Sequence, residues 1–252
     1  MRGNAMQPIY SQTFTLTDMD VDRFCKMKLS SLLFYAQEVA GKHSALLGAD
    51  YEALAKKNLF WAVSRHKVQI TRLPTLGETI TVETWPMPTT RVAYPRALVA
   101  FDAEGKELFR SISLWVLMDL ESRAMVLPGK SGVDVGGTLT GNELAPPHSL
   151  APKDLSNTTS RTVTYTFLDR NGHMNNTRYL DWVCDLLNSD FHKEHTPKEL
   201  VICYASEALE SQVISLDWAL SEEGHLQVDA HRENTLVPDK KHRVFSAQVL
   251  YE

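Results

Sequence analysis

Two parts of the chain show a helical spacing of hydrophobic positions. In the first part, apolar residues recur at i, i+3, i+4 and i+7: Leu29, Leu32, Leu33 and Ala36. In the second part, they recur at i, i+4, i+7 and i+8: Tyr179, Val183, Leu186 and Leu187. Each pattern predicts an amphipathic helix that buries one face, and we expect that face to lie against a sheet.

Strand patterns surround both predicted helices. An alternating strand running into an acidic turn precedes each helix, in residues 13–20 and in the parallel residues 164–171, where the strand itself is predicted at 162–168. Four more strands follow each helix, in residues 60–72, 78–85, 96–101 and 108–118, and in residues 199–205, 209–220, 226–231 and 243–251. This order, found twice, predicts an α+β fold of two tandem units, each a long helix wrapped by an antiparallel sheet.

The segment between the two copies has a different composition. Residues 127–158 are rich in Gly, Pro, Ser and Thr and show no steady period. A structureless stretch of this length is unusual inside one compact domain. We therefore predict a first unit at residues 1–126, a linker at residues 127–158 and a second unit at residues 159–252.

A polar turn joins the strand predicted at residues 162–168 to the predicted helix that begins at Tyr179. Its sequence, D-R-N-G-H-M-N-N, places polar side chains at alternate positions: Asp169, Asn171 and His173. Polar groups gathered at the start of a helix favour binding or catalysis. We predict that Asn175 and Asn176 cap the helix. The alternative is a purely structural turn, because Asp and Asn also stabilise such turns.

Composition argues against several classes of protein. The 252 residues carry a formal net charge of -5, which is unfavourable for a general nucleic-acid binder. No apolar run approaches the ~18 residues of a membrane span, and the amino terminus lacks the apolar segment of a secretory signal. Three cysteines without metal-site spacing indicate reduced thiols and a cytoplasmic location, and no cofactor is expected.

The turn and the duplicated plan resemble the acyl-ACP thioesterases of plants and bacteria, which are double-hotdog proteins. The family pattern D-x-N-x-H-x-N-N followed by x-x-Y-x-x-W is met by Asp169, Asn171, His173, Asn175, Asn176, Tyr179 and Trp182. Residues 204–207 resemble the family's Y-x-x-E strand, so the resemblance implies that Glu207 lies on a strand. First-half matches include residues 37–40 and 115–119, so the resemblance covers nearly the whole chain. It implies hydrolysis of fatty acyl-ACP to free fatty acid and acyl carrier protein (ACP), with ACP as the partner.

The resemblance carries over four site residues: Asp169, Asn171, His173 and Glu207. Plant members often have Cys directly after this Glu, whereas this chain has Ala208. Catalysis by a cysteine at that position is therefore excluded, and an activated water is the simpler nucleophile.

Thioester hydrolysis also needs a proton acceptor and donors for the developing oxyanion. His173 can act as the base or as an orienting donor, and Glu207 is the better base if the acyl tunnel desolvates it. Asn171 can orient the water or the thioester carbonyl, while backbone N–H groups after Asn175 can bind the oxyanion. Asp169 either takes part in catalysis or fixes the turn.

Several alternatives stay open. An acyl-CoA thioesterase of the same fold and a non-catalytic acyl-binding hotdog protein are rival functions. The parallel turn of the first half offers Asp20 and Asp22 but no His, so we expect that half to form the acyl pocket. Basic residues in stretches 23–28, 65–67 and 240–243 are candidate surfaces for the acidic ACP. Chain-length preference and the choice between monomer and homodimer are not decided.

Overall fold

The computed structural model describes residues 8–151, 155–233 and 241–252. The chain forms two compact units. Unit 1 comprises Met1–Ser64 and Ile70–Pro147, and unit 2 comprises Arg65–Gln69 and His148–Glu252. In each unit, antiparallel strands form a sheet that packs against a helix.

Unit 1 follows the order predicted for the first half. Its elements are β1 (Tyr10–Thr15), α1 (Leu29–Leu46), α2 (Tyr51–Ala55), β2 (Leu59–Ile70), β3 (Thr79–Pro86), β4 (Tyr94–Phe101), β5 (Glu107–Asp119), β6 (Met125–Val126) and α3 (Pro128–Ser131). Neighbouring strands have the order β1-β3-β4-β5-β2, with β6 paired to β5. The predicted helix and strands are confirmed, with ends shifted by a few residues.

Helix α1 buries the face that its apolar spacing predicts. The buried apolar side chains are Leu29, Leu32, Leu33, Tyr35, Ala36, Val39 and Ala40. They pack towards β3, and the burial of each large aliphatic side chain contributes about 1.5–3 kcal/mol. The helix is followed by Gly48, whose φ of +69° suits glycine and ends the helical path.

Unit 2 begins with a strand and continues through short helices into its sheet. Its elements are β7 (Asn157–Thr162), a 3₁₀ turn (Tyr165–Phe167), α4 (Tyr179–Cys184), α5 (Ser189–Glu194), β8 (Pro197–Tyr204), β9 (Val213–Leu220), β10 (His225–Glu233) and β11 (Lys241–Tyr251). The order is β8-β11-β10-β9-β7. The segment Arg65–Gln69 of β2 pairs with β8 on its other side.

Helix α4 packs against the apolar face of this sheet. Its Tyr179 ring lies 4.8 Å from the ring of Phe245 and 5.7 Å from the ring of Tyr204, between centroids. Trp182 is 2% exposed and contacts the ring of Phe167 at 5.8 Å. The aromatic residues shared with the family pattern therefore form the core behind the polar turn.

The predicted strand at residues 162–168 is wrong, because β7 ends at Thr162. Val163 then exchanges backbone hydrogen bonds with Ser211 and Gln212, and the chain turns through a 3₁₀ segment. Phe167 packs on Trp182 from that turn. Alternating aromatic and polar residues thus serve a turn whose aromatic side chains still reach the core.

The helix of unit 2 is shorter than predicted. Helix α4 ends at Cys184, and the N–H groups of Leu186 and Leu187 bond to carbonyls three residues back, at 3.4 and 3.1 Å. The side chain of Asn188 then accepts the N–H of Phe191 and caps α5. The apolar spacing continues past Cys184, but the cap divides the helix.

The stretch at residues 127–158 holds more regular structure than predicted. Helix α3 lies at its start, with a proline in its first turn. Strand β7 already begins at Asn157. Further along, the carbonyl of Leu150 accepts a hydrogen bond from Arg243 of β11 at 2.9 Å, so part of this stretch is tied to unit 2.

Candidate active site

The polar turn of unit 2 is closed by the carboxylate and backbone of one residue. The Asp169 N–H donates to the His173 carbonyl at 2.8 Å, and the Asp169 carbonyl accepts the Gly172 N–H at 3.0 Å. Asp169 Oδ1 accepts the N–H groups of Asn171 at 2.8 Å and His173 at 3.4 Å. Gly172 has a φ of +78°, which glycine adopts without strain. The turn therefore presents Asn171 and His173 from a fixed backbone.

His173 meets Glu207, the fourth residue predicted from the resemblance. Their Nε2 and Oε2 atoms lie 3.2 Å apart, and the two side chains are 12% and 43% exposed. The Asn171 amide lies 3.4 Å from Asp169 Oδ2. The structure thus brings Asp169, Asn171 and His173 together in one turn and adds Glu207 from a distant part of the sequence.

Glu207 does not lie on a strand, contrary to the prediction. Strand β8 ends at Tyr204, and Glu207 follows in an irregular loop. Its side chain is 43% exposed, so the protein alone leaves the carboxylate in contact with solvent. Its accessible oxygen atoms can contact water directly.

The residue after Glu207 faces the protein interior. Ala208 is 0% exposed, and its carbonyl accepts the N–H of Met174 at 2.8 Å. Tyr179 lies next to it, with a hydrogen bond to the Ala208 backbone. Burial raises the pKa of Tyr179, and the nearby carboxylates of Glu207 and Asp169 raise it further. The loop after β8 is therefore attached to the polar turn and backed by a buried phenol.

Asn175 caps a turn and not the helix, which corrects the prediction. Its side-chain oxygen accepts the N–H and hydroxyl of Thr177 at 3.0 and 2.8 Å. Helix α4 starts at Tyr179, and Arg178 before it makes no side-chain cap. The Asn176 carbonyl accepts the hydroxyl of Tyr204 at 2.9 Å. The N–H of Thr177 is thus used within the turn and is less suited to bind an oxyanion than the sequence predicted.

Unit 1 contains a second turn with the same backbone bonds. The Asp22 N–H donates to the Lys26 carbonyl at 2.8 Å, and the Asp22 carbonyl accepts the Cys25 N–H at 3.0 Å. Asp22 Oδ1 accepts the N–H groups of Phe24 at 2.8 Å and Lys26 at 3.0 Å. Cys25 has a φ of +60°, in the place of the glycine of the other turn. The sequences D-R-F-C-K-M-K and D-R-N-G-H-M-N therefore form one structural motif.

This equivalence corrects the register predicted between the two halves. Asp22, and not Asp18, is the counterpart of Asp169. Phe24 and Lys26, and not Asp20 and Asp22, therefore stand where unit 2 has Asn171 and His173. The Met27 N–H donates to the Pro74 carbonyl at 2.9 Å, as the Met174 N–H does to Ala208.

The counterpart of Glu207 is therefore Leu73, which is 8% exposed. The unit 1 turn carries no equivalent of the amide, the imidazole or the carboxylate. Asp22 makes the same hydrogen bonds in a turn that lacks these three side chains. The hydrogen bonds of Asp169 are therefore explained by its structural role in the turn.

The basic stretches proposed for ACP docking differ in structure. His66, in the middle of stretch 65–67, is 5% exposed and cannot contribute to a surface. Arg243 Nε bonds to Asp229, and Lys240 lies outside the described residues. Lys26 belongs to the turn of unit 1. The choice among the stretches stays a prediction.

Residues 8–151, 155–233 and 241–252 show neither a metal-binding cluster nor a membrane-spanning helix. No group of three or more His, Cys, Asp or Glu side chains has an arrangement suited to a metal ion there. In the same residues, none of the helices combines the length and the apolar composition needed to cross a bilayer. Cys25, Cys184 and Cys203 are not in disulfide bonds.

The fold and the site together define a class of enzyme-like protein: a duplicated α+β unit with an imidazole–carboxylate pair at one polar turn. Comparison with known families specifies it. The acyl-ACP thioesterase N-terminal domain matches residues 7–127, and the acyl-ACP thioesterase C-terminal domain matches residues 150–243. The chain belongs to the acyl-ACP thioesterase family, and the resemblance based on the turn is confirmed.

Solved structures confirm the double-hotdog fold class. An acyl-ACP thioesterase from Bacteroides thetaiotaomicron superposes with a TM-score of 0.85 at 22% identity, covering 97% of this chain and 98% of that chain. The 12:0-ACP thioesterase from Umbellularia californica gives a TM-score of 0.80 at 20% identity, covering 97% of each chain.

Curated relatives are longer than the region they share with this chain. A chloroplastic palmitoyl-acyl carrier protein thioesterase from Gossypium hirsutum is 25% identical over 224 residues, which is 82% of this chain and 54% of that protein. A chloroplastic dodecanoyl-[acyl-carrier-protein] hydrolase from Cinnamomum camphora is 24% identical over 221 residues, which is 82% of this chain and 58% of that protein. The match thus spans little more than half of each relative.

Proposed function

We propose that this chain hydrolyses fatty acyl-ACP to a free fatty acid and ACP, with water as nucleophile and Glu207 as base. The observation that carries the proposal is the 3.2 Å contact between His173 Nε2 and Glu207 Oε2. The imidazole is largely enclosed and the carboxylate is accessible, so Glu207 faces water while His173 orients it. Membership of the acyl-ACP thioesterase family supports the choice of substrate.

In the proposed reaction, Glu207 takes a proton from a water molecule while the oxygen of that water attacks the thioester carbonyl carbon. The tetrahedral intermediate collapses, the carbon–sulfur bond breaks, and the proton on Glu207 passes to the leaving thiolate of the carrier. The Asn171 amide, on the same turn as His173, stabilises the oxyanion or orients the water. Asp169 holds the turn.

In this proposal the two halves of the chain keep the separate roles expected from the sequence. All four site residues lie within residues 159–252, and residues 1–126 supply the acyl pocket, with residues 127–158 connecting them. A cytoplasmic location is supported by the three cysteines, none of which is in a disulfide bond. The chemistry is the same for a monomer and a homodimer.

The test measures free fatty acid released from acyl-ACPs of several chain lengths. Glu207→Gln is expected to lower kcat by about 10³-fold, because general-base catalysis contributes roughly 10²–10⁴-fold. Glu210→Gln is the matched control, since Glu210 is an exposed carboxylate on the same loop. Wild-type turnover in Glu207→Gln would exclude Glu207 as the base.

Parallel assays with acyl-CoA test the carrier. An acyl-ACP thioesterase is expected to prefer acyl-ACP, and added salt should lower its activity on acyl-ACP more steeply than on acyl-CoA, because charge screening weakens protein docking. A preference for acyl-CoA would reassign the substrate. Tight acyl binding without release of fatty acid would instead identify a non-catalytic binding protein.

A further inference from the structure

The loop that carries Glu207 is attached to the protein on both sides of this residue. Before it, the N–H groups of Ala205 and Ser206 both donate to the Val244 carbonyl of β11, at 2.8 and 3.1 Å. After it, the Ala208 carbonyl accepts the Met174 N–H of the polar turn. Glu207 itself lies between these attachments, outside regular secondary structure.

An arginine from β10 bonds to the backbone of Glu207. Arg232 Nη1 donates to the Glu207 carbonyl at 2.5 Å and to Gln212 Oε1 at 3.2 Å. The same Gln212 oxygen accepts the N–H of Leu209 at 3.0 Å. The two side chains, which we call the Arg232–Gln212 clamp, therefore hold the loop on either side of Ala208.

The counterpart of this clamp in unit 1 follows from strand register. Thr79 pairs with Thr15 in unit 1, and Val213 pairs with Thr162 at the same position in unit 2. Glu78, directly before Thr79, is therefore the equivalent of Gln212, directly before Val213.

The pairing of β3 with β4, and of β9 with β10, identifies the unit 1 counterpart of Arg232. Thr81 pairs with Phe101 as Ser215 pairs with His231. The residues after Phe101 and His231 are Asp102 and Arg232, so Asp102 is the unit 1 counterpart of Arg232. The corresponding position has the opposite charge in the two units.

Unit 1 clamps its loop with a different set of charges. The Thr75 N–H donates to Glu78 Oε2 at 2.9 Å, as the Leu209 N–H does to Gln212. Arg72 then bridges Glu78, at 2.8 and 2.6 Å, and Asp102, at 3.5 Å. In unit 1 the arginine comes from the loop and binds two carboxylates.

In unit 2 the arginine comes from the strand and binds two neutral oxygen atoms, one of them on the backbone of the proposed base. From this difference we infer that Arg232, supported by Gln212, is a positioning residue for Glu207; the inference rests on the proposed function. A hydrogen bond from a charged donor is stronger than a neutral one, and the planar guanidinium can hold two acceptors in a fixed geometry, which an ammonium cannot reproduce. The clamp fixes the loop so that the Glu207 carboxylate stays within reach of His173.

The experiment compares Arg232→Met with the matched variant Arg72→Met, which breaks the equivalent clamp in unit 1. Both variants are expected to unfold at lower urea concentration. Arg232→Met is also expected to lower kcat for acyl-ACP by 10- to 100-fold with KM changed less than threefold. Arg232→Lys should recover part of the loss, because it keeps one charged donor. Arg72→Met should keep kcat within twofold of the wild type.

Two kinetic results overturn the inference: wild-type kcat in Arg232→Met, or an equal loss of kcat in Arg72→Met. Hydrogen exchange of residues 205–213 gives a readout that does not depend on activity, and it should speed up in Arg232→Met alone. Unchanged exchange in Arg232→Met overturns the clamp itself. A wild-type protein inactive on every acyl-ACP overturns the proposed function, while hydrogen exchange still decides whether Arg232 holds the loop.

Discussion

Asp169 and Asp22 make the same backbone bonds, and replacing each by Ala separates the structural role of the turn from its catalytic role. Asp169→Ala is expected to lower both stability and turnover. Asp22→Ala is expected to lower stability alone, because its turn presents Phe24 and Lys26. The pair of variants thus uses one unit of the protein as the control for the other.

The size of the stability change follows from the hydrogen-bond geometry. Asp22 accepts two N–H groups at 2.8 and 3.0 Å, whereas Asp169 accepts one at 2.8 Å and a long one at 3.4 Å. A hydrogen bond to a charged group contributes roughly 1.5–3 kcal/mol. We therefore expect a loss of about 3 kcal/mol for Asp22→Ala and about 2 kcal/mol for Asp169→Ala. The more destabilised variant should be the active one.

The expected change in rate follows from the loss of fixed geometry. Without the Asp169 carboxylate, Asn171 and His173 are no longer held by a common acceptor, and a misplacement of about 1 Å can cost about 10²-fold in rate. Asp169→Ala should therefore lose about 10²-fold in kcat, and Asp22→Ala should stay within about twofold of the wild type at a temperature where both are folded.

Urea titration with tryptophan fluorescence and initial rates on acyl-ACP measure the two effects. Denaturation midpoints are compared, because two units need not unfold in a single step. Equal losses of turnover in both variants would refute the reasoning, since the unit 1 turn would then matter for chemistry. Wild-type turnover in Asp169→Ala would show that the turn keeps its geometry without the carboxylate.

Three further variants test other parts of the structure. Burial lowers the pKa of His66 to about 4 from 6.5. Between these pH values the unfolded chain binds a proton that the folded chain does not, so the wild type should lose about 3 kcal/mol of stability as pH falls from 6.5 to 4. An equal pH dependence of the urea midpoint in His66→Leu would contradict this. Cys25→Gly should stabilise the protein by about 0.5–1 kcal/mol, because it relieves a left-handed backbone at some cost in chain entropy, and a lower midpoint would exclude strain at Cys25. Ala208→Cys should leave activity insensitive to thiol alkylation, since position 208 is 0% exposed; inactivation of this variant, with the wild type unaffected, would show that the position is accessible.

Local sequence patterns predicted most of the strands and one of the two helices. Strand β2 was predicted at residues 60–72 and is found at Leu59–Ile70, because alternating side chains and turn residues mark its ends. The helix of unit 2 was predicted to continue past Cys184, where the apolar spacing persists. Asn188 then caps a separate helix, α5, so the apolar spacing runs across the end of one helix and the start of the next.

The candidate site could be predicted in part because its polar side chains are close in sequence. Asp169, Asn171 and His173 share one turn, and the family resemblance added Glu207. Arg232 had no signal, because its contact with the Glu207 loop depends on how strands pair across unit 2. The register between the halves was also misjudged, since alternating residues 13–17 and 164–168 look alike while the backbone bonds equate residue 22 with residue 169.

The two equivalent turns also bear on how new chemistry can arise in this fold. Their backbone bonds persist with Phe24 and Lys26 in one copy and with Asn171 and His173 in the other. The second and fourth positions after the aspartate can therefore change without rebuilding the loop, so mutation can sample side chains there at small cost to folding. The turn of unit 1 is therefore a stable loop in which a second set of functional side chains can be placed, and the aspartate is the part of the motif that any such change must keep.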